Sequence, residues 1–267
     1  MWRQYKQGKK TEFKTKHGVD MAAKDLAQVL RFQKSTLKEL EFVLNIHAPD
    51  ALELFPSALR NVLASRNRLI ATGNFEVPCC KNPNDVMCIL PFLDPNCLKR
   101  IKFWRVNERP LDFKNTEVVR SKQWNSAEEL DMQNCKVPAQ HLTNFSRIDI
   151  RNHYSFTAAE IDDLRTSIVL YRKIKAFSTS SNFTRFRAHG DSVPPIEQLS
   201  RSWGLPVLID AQYNCWFFRM FQSTDVLEVY ISHGGRYVDP KIEMIWKQLN
   251  EIPTGVAIRD IELCTLV

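Results

Sequence analysis

Glycine is scarce in this chain, with 8 residues in 267, and nowhere does it form G-x-G-x-x-G, G-x-x-x-x-G-K-[ST] or G-x-S-x-G. Loops that cradle phosphate, and the strained turn that presents a nucleophilic serine, need glycine for close backbone approach or positive φ. The sequence therefore carries no sign of a nucleotide-binding or α/β-hydrolase enzyme. His233-Gly234-Gly235, the only Gly-Gly, lacks a nucleophile elbow to serve and reads as a turn. There is no H-E-x-x-H, and the seven cysteines (Cys79, Cys80, Cys88, Cys97, Cys135, Cys215, Cys264) contain no C-x-x-C. They read as reduced thiols packed as small hydrophobes. A zinc site from Cys79, Cys80, Cys88 and Cys97 is disfavoured because adjacent cysteines rarely both reach one ion. Also lacking is any apolar run near the roughly 18–20 residues a membrane helix needs. The basic N-terminus has no apolar stretch behind it, as a secretory signal would. No cofactor and no membrane association are expected, and the expected location is intracellular, cytoplasmic or nuclear.

Charge is present but unevenly placed. The formal net charge is +7, and residues 1–38 hold ten Lys or Arg against three acids, which accounts for all of it. A cationic strip with Tyr5 and Phe13 interleaved fits a nucleic-acid-associated protein, the alternative reading of this sequence. A solvated terminus explains the same run without any ligand.

Elsewhere the dominant pattern is a short apolar beat. It falls at Leu40/Phe42, Phe75/Val77, Ile101/Phe103, Leu130/Met132, Ile148/Ile150, Phe177/Thr179 and Leu227/Val229. Each is a strand candidate, and the intervals of 18 to 50 residues between them suit parallel strands joined by helical crossovers. The expected fold is α/β, an irregular leucine-rich-repeat-like stack of strand and helix units. The spacing is looser than in a regular repeat array.

Local signals place the rest. Residues 1–36 form a basic N-terminal hairpin (Gln4 to Lys16) and a helix capped by Asp20, with Leu26, Val29, Leu30 and Phe32 inward. Residues 37–267 form the repeat-like domain. A helix is expected over Ala51 to Ser65, brief helical stretches around Val86 to Leu90, Glu117 to Trp124 and Val137 to Leu142, and a longer one from Ala158 to Tyr171 capped by Thr157. Thr184 to Pro206 reads as a loop carrying one short helix, Ile196 to Trp203. Then come the strands VLID, CWFFRMF and DVLEVYIS, the last two pairing antiparallel, a helix from Lys241 to Leu249, and a closing strand VAIRDIEL.

No residue stands out as catalytic, cofactor-binding or metal-ligating. Glu128/Glu129 and Asp162/Asp163 are adjacent in sequence, so their side chains diverge and read as solvated faces. His141 and His153 flank a strand but lack an acidic partner at fixed spacing. Among the aromatics, Trp104, Trp124, Trp216, Phe217, Phe218 and Phe221 read mainly as core. One that pointed outward from an open sheet face would be a partner-binding anchor. Which residues bind a partner is unknown from sequence.

The phrases ILPFLDPNCLKRI, QWNSAEEL and HLTNFSRIDI, with SFTAAEIDDLR after them, resemble the FTH domain, an F-box-associated domain expanded in nematodes. The likeness runs closely over about residues 52–188. The resemblance implies a non-enzymatic substrate-recognition part of SCF-type ubiquitin ligases, in which an F-box grips a Skp-family adaptor and the FTH region holds the target protein. No F-box-like helical triplet precedes residue 20, so contact with the adaptor and cullin is expected only if an F-box is encoded upstream.

Overall fold

The computed structural model describes residues 16–43, 49–78, 82–104, 110–151, 156–175, 185–189, 193–210, 213–220, 223–234 and 240–261. The expected hairpin at Gln4 to Lys16, the Phe177/Thr179 beat, His153, Phe221, Cys79, Cys80 and Cys264 lie wholly or largely outside them.

The chain is an α/β protein. Its helices are α1 (Lys16–Arg31), α2 (Pro49–Ala64), α3 (Pro83–Val86), α4 (Lys122–Ser126), α5 (Ala158–Lys175) and α6 (Ile196–Trp203). Between and after them run β1 (Leu37–Glu41), β2 (Thr72–Pro78), β3 (Arg100–Trp104), β4 (Leu111–Asp112), β5 (Glu129–Gln133), β6 (Cys135–Lys136), β7 (Arg147–Arg151) and β8 (Arg185–His189). The C-terminal strands are β9 (Val207–Asp210), β10 (Tyr213–Met220), β11 (Asp225–Ser232), β12 (Lys241–Gln248) and β13 (Ile258–Ile261).

Eleven of the described strands join one sheet in the order β1-β2-β3-β5-β7-β8-β12-β11-β10-β13, with β9 also on β10. Strands β1, β2, β3, β5 and β7 are parallel neighbours, as the repeating beat predicts, and β8, which no beat marks, joins β7 in the same sense. From β8 onward the sheet turns antiparallel through β12, β11 and β10. β9 and β13 divide the outer edge of β10 between them, antiparallel along its first half and parallel along its second. The repeat grammar thus describes the first half of the sheet, and the second half is a meander.

The beats hold because alternate residues of each strand face one core. Phe75, Val77, Ile101, Phe103, Leu130, Met132, Ile148, Ile150, Phe186 and Ala188 are all buried there, packed with residues of α1, α2, α5 and α6. Trp124 and the aromatic rings of Phe103, Phe113 and Phe145 meet at its centre, with centroids 5.1–6.4 Å from the indole or each other. In β10 the two faces part company. Trp216 and Phe218 enter this core, whereas Cys215 and Phe217 join Val226 and Ile252 in a smaller cluster on the opposite face.

Four expectations are corrected. α1 begins at Lys16, so Asp20 is inside it. Its buried stripe is Ala23, Ala27 and Leu30, while Val29 and Phe32 are 61% and 66% exposed. The small alanines allow α1 to lie close to α2, and Val29 sits one residue round the helix from that stripe. Lys241 to Gln248 is strand β12, not a helix. Ile242, Ile245 and Leu249 fit a helical stripe, but Ile242, Met244 and Trp246 fit a strand equally, and pairing to β11 and β8 on both sides decides the matter. Within the expected loop after Thr184 lies β8, whose RFRAH offers only Phe186 and Ala188 to the core. Asp162 is not merely solvated, since it accepts hydrogen bonds from Arg165 (2.8 Å) and from Trp203 Nε1 (2.6 Å).

The start of α5 shows how local chemistry sets an element. Thr157 Oγ1 accepts a hydrogen bond from the Glu160 amide (3.2 Å), and the Glu160 carboxylate accepts one from the Thr157 amide (3.0 Å). Two otherwise orphaned donors are satisfied reciprocally. Thr157→Ala is expected to lower stability by about 1 kcal/mol, read as a shift in urea midpoint with unchanged slope. Wild-type stability in that variant would disprove the cap's contribution.

Candidate functional site

Because the helices and the main core take one face of the sheet, the other face is left to alternating polar residues. Parallel register aligns them in rows across the strands. One row runs Glu41, Glu76, Lys102, Asp131, Asp149, Arg187, Glu243 and Tyr230. On one side of it lies Asn74, Arg100, Glu129, Arg147, Arg185 and Ile245, and on the other Trp104, Gln133 and Arg151 on β3, β5 and β7 and, beyond the end of the β7–β8 pairing, His189, Lys241 and Ser232 on β8, β12 and β11. The small cluster of Cys215, Phe217, Val226 and Ile252 closes the row at the β10 end.

Most of these charges are paired. Lys102 reaches Glu76 at 3.0 Å, and the Trp104 indole N–H donates to the same carboxylate at 2.8 Å. Arg100 and Arg151 both approach Asp131, at 2.8 and 3.8 Å, and Arg151 lies 3.2 Å from Asp149. Glu243 is the most heavily shared, since Arg185, Arg187 (3.2 Å) and Lys241 (2.7 Å) all bear on it. Lys247 is matched to Glu228 at 2.8 Å.

Burial alone pushes the Glu243 carboxyl up, but hydrogen bonds from Lys241 and Arg185 outweigh it and hold the group below the ordinary value of 4.5. Glu76 behaves alike, its burial outweighed by Lys102 and Trp104. Both stay ionised through the neutral range, Glu243 held by Arg185, Arg187 and Lys241 and Glu76 by Lys102 and the Trp104 indole, so neither is poised for proton transfer. Burial, with Glu228 beside it, drives the Cys215 thiol upward and keeps it neutral. Burial and then Arg120 lower His141.

The residues weighed from sequence are placed as follows. Glu129 lies on the open face, 3.8 Å from Arg100, and Glu128 is exposed. His141 serves through its backbone, its carbonyl accepting from Trp124 Nε1 at 2.9 Å. His233 is exposed, and Gly234 has φ +74°, in keeping with a turn. Cys88, Cys135 and Cys215 are buried and Cys97 is half-buried, and among the described residues no cluster of three His, Cys, Asp or Glu could hold a metal. Trp104 is the outward aromatic of the parallel half. Tyr213 and Tyr230 stack at 5.0 Å further along, with the Lys241 ammonium 5.1 Å from the Tyr230 ring.

The phrases that set this sequence apart turn out to be packing. Gln123 is buried and donates to the Pro91 and Leu93 carbonyls at 3.1 and 2.9 Å, tying α4 to the single-turn helix Leu90–Phe92. Asp94 accepts from the Asn96 amide at 2.9 Å and so shapes the turn into β3. Phe145 meets the Trp124 ring edge-on. The face charges went unnoticed in sequence, although their signal is plain in RIKFW, ELDMQ, RIDIR and RFRAH, where charged or polar residues alternate with the beat.

The protein is thus of the α/β class, a sheet backed by helices on one side and lined by charged, partly exposed residues on the other. The chain belongs to the FTH domain family, whose model matches residues 53–200, more than half of its length. No match is found among curated proteins or among solved structures. Among the described residues no helix is long and apolar enough to cross a membrane.

Proposed function

We propose that this chain is a non-enzymatic protein-interaction module, the substrate-recognition part of an SCF-type ubiquitin ligase, and that it holds its target on the open sheet face. The single observation that supports this is the face itself. A broad row of fixed side chains, on a rigid sheet rather than on loops, suits recognition of an extended partner. Its carboxylates are bound to Arg and Lys, which favours a structural and recognition role for them over acid–base chemistry. The parallel run from β1 to β8 is the part that acts as a leucine-rich-repeat-like arc, and a Skp-family adaptor and cullin join only through an accompanying F-box.

Proximity labelling in the native cells under proteasome inhibition tests the reading. The expected result is a labelled protein whose abundance rises when the chain is depleted. Gln133→Trp, which adds bulk to the open face between Trp104 and Arg151, should suppress that labelling. Equal labelling of the same proteins by wild type and Gln133→Trp would sink the assignment of the face.

A further inference from the structure

The open face is not uniform in sign, and its division falls between strands. On β1, β2, β3 and β5 it carries Glu39, Glu41, Glu76, Glu129 and Asp131 against Arg100 and Lys102. On β7, β8 and the adjoining part of β12 it carries Arg147, Arg151, Arg185, Arg187 and Lys241 against Asp149 and Glu243. The first half is therefore net acidic and the second net basic. Lys247, further along β12, is neutralised by Glu228.

The basic half is also incompletely satisfied. Glu243 has two carboxylate oxygens for three cations, and its side chain is only 7% exposed, whereas Arg185, Arg187 and Lys241 remain 39%, 30% and 25% exposed. Arg187 Nε is buried without a hydrogen-bond partner. Arg147, in line with Arg185, is exposed and has no side-chain ion pair or hydrogen bond with a described residue. Cations that share one carboxylate and keep exposed donors favour further acceptors brought by a ligand.

The spacing says which ligand. Along one strand, residues on the same face recur every ~6.8 Å, and adjacent strands are ~4.8 Å apart. Arg185 and Arg187 on β8 stand one such repeat apart, and Arg147 and Arg151 on β7 stand two repeats apart with Asp149 between them, so the arginines fall on the positions that alternate side chains of an extended peptide reach. A long polyanion such as a nucleic-acid strand that ran across the strands would carry its charge onward into the acidic half and be repelled there, whereas a short acidic segment of protein lying along β7 and β8 stays within the basic half.

We propose that the face formed by Arg147, Arg151, Arg185, Arg187 and Lys241 binds an extended segment of a partner protein with Asp or Glu at alternate positions, aligned with β7 and β8. The inference rests on the proposed role of the open face and gives that face's target a chemical class.

Fluorescence anisotropy with a labelled peptide of alternating aspartates tests it, against the same peptide with asparagines and a single-stranded RNA of similar length. Arg147→Glu is the variant of choice because that exposed side chain forms no ion pair or hydrogen bond with a described residue. Arg60→Glu, an exposed residue of α2, makes the same charge change away from the open face. The aspartate peptide should bind at low salt, release as salt rises, and bind about tenfold more weakly to Arg147→Glu, as loss of one attraction and gain of one repulsion predicts. Arg60→Glu should leave it unchanged. No binding, equal weakening by both variants, or tighter binding of RNA through Arg147 would overturn the proposal. Target labelling separates the two levels: loss with Gln133→Trp but not with Arg147→Glu removes the acidic segment and leaves the face, whereas loss with neither removes both.

Discussion

Trp124→Ala should cost about 4 kcal/mol of stability, out of the ~5–15 kcal/mol typical of a whole domain. The indole is fully buried. It stacks within 6.4 Å of Phe103 and 6.1 Å of Phe113 and meets Phe145 edge-on at 5.1 Å. It also donates to the His141 carbonyl, 17 residues onward, at 2.9 Å. Truncation leaves a cavity bordered by three rings on three different segments, which cannot all collapse into it, and strips a carbonyl of its donor. Trp124→Phe keeps most of the ring contacts and loses the donor, so about 1–2 kcal/mol is expected. Urea unfolding followed by far-ultraviolet dichroism reads both. An alanine variant within 1 kcal/mol of wild type would mean that the aromatic cluster does not hold the centre of the fold.

The second large effect concerns charge. Glu243→Gln preserves shape but removes the carboxylate on which Arg185, Arg187 and Lys241 converge. Removing one member of a buried ionic cluster costs more than the cluster contributes, because the remaining charges are left close together and partly desolvated. About 3 kcal/mol is expected. Salt should act in opposite directions on the two proteins at this site. It screens a net attraction in the wild type and a net repulsion in the variant. The Glu243 pKa is depressed in the folded protein, so its contribution is fully present above the unfolded value, near 4.5, and is lost as pH falls through the folded value. The stability gap between wild type and variant should therefore be constant near neutrality and narrow below about pH 4.5. A gap that stays constant down to pH 3, or a variant as stable as wild type, would show that the carboxylate does not organise these cations.

The basic patch and the shared carboxylate illustrate why the face was harder to read than the core. Arg147 and Arg185 are 38 residues apart in sequence yet are register partners, and Glu243 meets Arg185 only because β12 enters beside β8 instead of continuing the parallel run. Pairing across strands is not encoded in any local pattern. A reader of RIDIR sees alternation and infers a half-buried strand, but the identity of its neighbour, and hence of its ion-pair partner, comes from topology. Gln123 and Trp124 show the converse. Their combination helped mark the family, and the structure assigns them to packing between α4 and the rest of the core, so the resemblance located the fold and said nothing of the face.

By itself the sequence determined the class of the fold, the parallel strands β2, β3, β5 and β7, the cap at Thr157 and the short helix α6, because each rests on interactions spanning a few residues or on a repeating apolar beat. Only the tertiary structure decided that Lys241–Gln248 is a strand, that α1 turns Val29 and Phe32 to solvent, and that the face charges sort into an acidic and a basic half. In each of these cases the local pattern admits two solutions of similar quality. Burial against a particular neighbour, or pairing to a particular strand, supplies the free energy that separates them.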